Sequence, residues 1–130
     1  MILKSHILDY IESLNVGGCY VGPMPDKPVE SIGIYNLRRS GVPYMPVGGT
    51  SNASYEEKGV SLLVHWNESP SEAEQAAINL FNALMNERNA TVNNRTVTCI
   101  KMLTPEPISV GTDENGIHEY VIECIFYIQK

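Results

Sequence analysis

Apolar residues near the start of the chain recur at helical spacing. Leu3, Ile7, Tyr10, Ile11 and Leu14 fall three or four apart on one stripe, which predicts a helix over residues 2–14. Gly17-Gly18 is placed to close it, because glycine accepts the left-handed backbone that ends helices, and Pro23, Pro25 and Pro28 hold the following segment extended. The period then changes to two. Ile32 and Ile34 alternate with small or polar residues over 31–37, and Val60, Leu62, Val64 and Trp66 do so over 60–66, so both stretches read as strands.

Ser69-Pro70-Ser71-Glu72 opens a second helix, with a capping serine, a first-turn proline and a glutamate placed to return a bond to the cap. Ala73, Ala77, Leu80, Phe81 and Leu84 continue it at helical spacing, with its end expected near Asn89. Asn93, Asn94 and Arg95 turn the chain into a third strand over 97–103, which has apolar residues of both parities. Pro105 and Pro107 stop that strand, and Asp113-Glu114-Asn115-Gly116 supplies the turn before a last strand over 117–128. One face of this strand carries Tyr120, Ile122, Cys124, Phe126 and Ile128; the other carries Val121, Glu123, Ile125 and Tyr127. Both faces are largely apolar, so a helix layer covers one and something else must cover part of the other.

The resulting expectation is one α+β domain over residues 1–130. It has an antiparallel or mixed sheet of about four strands, two helices packed on one face, and a long loop between the first two strands. That loop, residues 38–58, is longer than connections inside compact domains usually are. Arg38, Arg39, Tyr44, Met45 and Tyr55 give it the arginine and aromatic content of a contact surface, and with Ile125 and Tyr127 they form the candidate interface to other subunits. A Gly/Pro/Ser-rich loop with little burial of its own is expected to order on assembly.

Charge narrows the function. The 130 residues are 43 % hydrophobic and 18 % charged, the balance of a folding domain, and the net charge of −6 argues against a clamp that neutralises nucleic-acid phosphates. Glu56-Glu57 and Asp113-Glu114 are the paired carboxylates; adjacent acids on turns rarely face each other across a cleft, so they read as an acidic rim. Cys19, Cys99 and Cys124 are too widely spaced for a disulfide framework or a zinc knuckle, and His6, His65 and His118 have no nucleophile in their local frames. The first helix is interrupted by charges, unlike a signal peptide or membrane span, and the cytoplasm is the expected compartment. No catalytic residue, metal or cofactor is expected.

Two stretches carry a resemblance. MPDKPVESIGIY at residues 24–35, followed by SGVP at 40–43, is similar to the start of small tail-terminator or minor capsid proteins of tailed bacteriophages and prophages. PEPISVGTDENGIHEY at residues 105–120 resembles that family's proline, glycine-acidic turn and closing strand. The resemblance implies a virion tail protein, assembled in the bacterial host, that forms a ring, expected to be hexameric. Such a ring would cap the completed tail tube, stop its polymerisation and provide the head-joining surface. Its implied partners are further copies of itself, the tail tube protein and a head-completion or connector protein. DNA would pass through the lumen without specific binding, past acids such as Glu56, Glu57, Asp113 and Glu114, and no membrane is involved. The competing readings are another head-tail connector, a ligand-binding or regulatory α+β module with a concave polar pocket, and a small hydrolase with a bonded nucleophile, histidine and acid.

Overall fold

The structure is a computed structural model that describes residues 2–14, 16–21, 30–37 and 55–129. Among these, two helices and seven strands follow in the order α1 (Lys4–Ser13), β1 (Gly18–Val21), β2 (Ser31–Asn36), β3 (Tyr55–His65), α2 (Pro70–Met85), β4 (Arg88–Val92), β5 (Arg95–Met102), β6 (Ile108–Thr112) and β7 (His118–Gln129). The expected α+β layout, two helices on one face of a sheet of about four strands, is therefore corrected to a mostly β arrangement, a seven-stranded mixed sheet that curls into a half-barrel. Its order is β1-β2-β3-β7-β5-β4, with β6 also on β7; β1 and β2 run parallel, and every other pair is antiparallel.

The three unforeseen strands are short, and each was hidden by another signal. In β1 the glycine read as a helix stop is the first strand residue; α1 already ends at Ser13, with Leu14 capping it in a right-handed conformation. β4 follows α2 so closely that its first two residues, Arg88 and Asn89, read as the helix's last turn. β6 lies between prolines and a turn, and none of its five residues is buried, so its alternation of Ile108, Val110 and Thr112 with small residues marks no face of a core. The long loop is corrected too: Tyr55, Glu56, Glu57 and Lys58 belong to β3, where they pair with Gln129, Ile128, Tyr127 and Phe126. Polar side chains concealed a strand segment that is laddered to β7.

Curvature follows from the helix contacts. α1 packs on β1, β2 and β4, and β1 and β4 stand at opposite ends of the strand order. One helix can touch both only where the sheet curls, here into a half-barrel. α2 lies over β3, β5 and β7 in the middle of the sheet. Ile7, Tyr10 and Ile11 of α1, and Ala77, Leu80, Phe81 and Leu84 of α2, join Ile32, Ile34, Val60, Leu62, Val64, Ile122, Cys124, Phe126 and Ile128 in one apolar cluster. Within it Tyr10 meets Phe126 edge to face at 5.9 Å. The mixed parity of β5 is explained by a bulge: Val97 pairs Ile128 while Cys99 pairs Tyr127, so two residues of β5 oppose one of β7.

Candidate assembly surface

Alternation along β3 and β7 assigns the opposite side of the sheet. Cross-strand partners share a face, so Glu57 and Tyr127, Gly59 and Ile125, Ser61 and Glu123, and Leu63 and Val121 line the side away from the helices. Tyr55 meets Tyr127 on this face edge to face, with ring centroids 5.4 Å apart. Burial first, and the Glu57 carboxylate second, push the Tyr127 hydroxyl above its usual range. Tyr55, Glu57 and Tyr127 are thus one polar-rimmed aromatic patch at one end of β3.

Ile125 differs from its neighbours. It is only 4 % exposed although it lies outside the cluster under the helices. Gly59, its partner across the ladder, has no side chain, and the space is taken by Leu37: a Cβ built on Gly59 would lie 2.8 Å from Leu37 Cδ2. Ile125 is therefore buried within the subunit, while Tyr55 and half-buried Tyr127 remain available to a partner. Arg38, Arg39, Tyr44 and Met45 lie outside the described residues.

The acids fall into two groups. Glu56 receives both guanidinium nitrogens of Arg95, at 3.1 and 3.3 Å, and Arg95 also donates to the Gln129 carbonyl. Asp113 sits beside the other end of β3: its Oδ2 lies 2.9 Å from His65 Nε2, and its Oδ1 accepts the backbone N–H groups of Asn115 and Ile117. The bond to His65, then that to Ile117, holds the Asp113 carboxyl below its usual range. Glu57 and His65 are eight steps apart on one strand, or about 26 Å at about 3.3 Å per residue. The two acid pairs thus mark opposite ends of the sheet, and only Glu57 and Glu114 are exposed.

The other polar groups serve local structure. His6 Nδ1 accepts the Leu3 N–H at 3.0 Å at the start of α1, and the Tyr10 hydroxyl donates to Glu87 at 2.8 Å. Burial pushes the Cys19 thiol up to about 11 and the Cys124 thiol to about 12, so both stay protonated near neutral pH. Among the described residues no group of three or more His, Cys, Asp or Glu could hold a metal ion, and no helix is long and apolar enough to cross a membrane.

A family model described as bacteriophage tail terminator protein matches residues 4–130. This chain belongs to that family. The tail terminator match runs through both helices and all seven strands, and it makes the chain a structural component of the phage tail, acting in tail completion. Among solved structures, that of the bacteriophage SPP1 gp17 protein aligns over 97 % of this chain and 85 % of that one, at 16 % identity and a TM-score of 0.49. No curated protein matches. Sequence reasoning named Tyr55 and Tyr127 separately, without their contact, and did not single out the β6 edge, where Ile108 and Val110 are 44 % and 53 % exposed. The signal available for it was an uncharged, β-branched pentapeptide between two turn clusters.

Proposed function

We propose that copies of this tail terminator close into a ring, of six subunits, on the end of the finished tail tube. The ring blocks further tube polymerisation and offers its free side to a head-completion or connector protein. The observation that carries this reading is the family match over residues 4–130. A ring needs two different patches per subunit, because head-to-tail contacts are heterologous. The Tyr55, Glu57 and Tyr127 patch is our candidate for one such surface, and Arg38, Arg39, Tyr44 and Met45 are further candidates for contact with a neighbour. Exposed Glu57 and Glu114 are the candidate lumen or rim acids, repelling phosphate so that DNA slides without adhering. Glu56 contributes less, since it is paired with the Arg95 guanidinium, and Asp113 is held by its bond to His65. Assembly takes place in the bacterial host before the virion is complete.

Solution mass with and without purified tail tubes tests the ring. A sixfold mass on tubes, and tubes that stop growing when the protein is added, are the expected results. A protein that stays monomeric on tubes and leaves their length distribution unchanged is not a terminator ring.

A further inference from the structure

The geometry points to the free edge of β6 as a receptor for an extended, basic segment of a different protein, added to the sheet as a further strand. β6 pairs with β7 on one side, and among the described residues no strand pairs with its other side. Edge strands are normally guarded by a charge, a proline or a bulge that turns the edge away. β6, Ile-Ser-Val-Gly-Thr, has neither charge nor proline. Its irregularity, where Ser109 pairs Tyr120 and Gly111 pairs Glu119, leaves Val110 unpaired at 53 % exposure, with Gly111 at φ 94°. The bulge therefore presents another apolar side chain to solvent beside Ile108, at 44 %.

Charge selects the occupant. Between Lys101 and Lys130 the chain has no lysine or arginine, whereas Glu106, Asp113, Glu114, Glu119 and Glu123 all fall there. Glu106 precedes β6, Glu114 follows it, and both are exposed. A complementary strand has β-branched residues to meet Ile108 and Val110 and basic residues at its ends. The described edges of a second copy fit poorly. β1, Gly-Cys-Tyr-Val, has no basic residue, and β4 has left-handed Asn89 beside Arg88, whose guanidinium donates to the Met85 and Glu87 carbonyls. A different chain is the better occupant. That this chain is another phage structural protein rests on the tail-completion reading; the recognition chemistry does not.

The test titrates the isotopically labelled full chain with a capped heptapeptide of alternating valine and threonine bearing a lysine at each end. Shift changes and slowed amide exchange centred on residues 108–112 are expected. A peptide with the same core and glutamate ends should bind at least tenfold more weakly at low salt, and the gap should narrow as salt screens the acids. The double substitution Ile108→Lys, Val110→Lys should abolish binding without lowering the melting midpoint, because both side chains are exposed. Shifts centred elsewhere, equal affinity for the two peptides, or binding that survives the double substitution would each overturn the proposal. A wild-type oligomer that dissociates in the double variant would assign the edge to a second copy instead. The titration needs no tails, so a failed tube-capping assay would remove the ring and leave this result standing.

Discussion

At the scale of single residues, the strongest local constraints are steric and electrostatic. Gly59→Ala would drive a Cβ to 2.8 Å from Leu37 Cδ2 and 3.2 Å from Leu37 Cβ. Leu37 must then leave its seat over Gly59, and we expect a loss of about 1–3 kcal/mol in denaturant unfolding, in the range of overpacked sites. An unchanged midpoint would show that Leu37 is not held there. Asp113 supplies a pH dependence. Its folded-state carboxyl is held below the unfolded value by His65 and by the Ile117 N–H. Its contribution is therefore present above the unfolded carboxylate range and is lost as pH falls through the folded value. Asp113→Asn should melt below wild type at neutral pH, and the two curves should converge in acid. A constant gap down to low pH would assign the loss to something other than this carboxylate.

At the scale of elements, α2 and the β4–β5 hairpin show sequence chemistry acting locally. Ser69 Oγ accepts the Glu72 N–H at 3.4 Å, with Pro70 in the first turn, but the return bond expected from Glu72 is replaced: the Ser69 N–H donates to Asn67 Oδ1 at 3.0 Å. The bond to Ser69 Oγ is long and exposed. Ser69→Ala is expected to cost about 0.5–1 kcal/mol, the lower part of the range for caps, measurable as a shift in the urea midpoint. In the hairpin Val92 pairs Arg95 across two residues, Asn93 and Asn94, at φ 51° and 60°. Two positive-φ residues make the tight turn whose twist matches antiparallel strands, and asparagine tolerates that conformation better than other non-glycine residues. Asn94→Gly should raise stability by several tenths of a kcal/mol, and Asn94→Ala should lower it by about 1 kcal/mol. A reversed order would mean that the turn is held by its surroundings rather than by its own backbone preference.

At the scale of the whole molecule, the curled sheet separates residues that look equivalent along β7. Ile125 and Tyr127 share a face, yet Ile125 is 4 % exposed and Tyr127 is half-buried beside exposed Tyr55. A charge at Ile125 would be desolvated inside the subunit, so Ile125→Asp should unfold it, at a cost of several kcal/mol. Tyr55→Glu with Tyr127→Glu should instead leave the melting midpoint within a few degrees and prevent ring formation on tubes. Circular dichroism and solution mass measured together separate these outcomes. A folded Ile125→Asp protein, or a double glutamate variant that still forms rings, would contradict the division of this face into a covered and an open part.

Periodicity and capping by themselves determined both helices and located the four longer strands, because helical stripes, alternating runs and short apolar runs between turn signals can all be read along the chain without a distant residue. The family match follows from the same linear information. The Tyr55–Tyr127 contact and the covering of Ile125 were settled only by tertiary structure, since both depend on the register between β3 and β7, strands separated by α2, β4, β5 and β6. Register likewise turned Tyr55 to Lys58 from an expected loop into strand, and it tied Glu56 to Arg95 and Asp113 to His65. The short strands β1, β4 and β6 have too few buried residues for a periodic pattern to mark a core face. They exist because a neighbouring strand offers unpaired backbone groups, and the chain alone does not specify where that neighbour will lie.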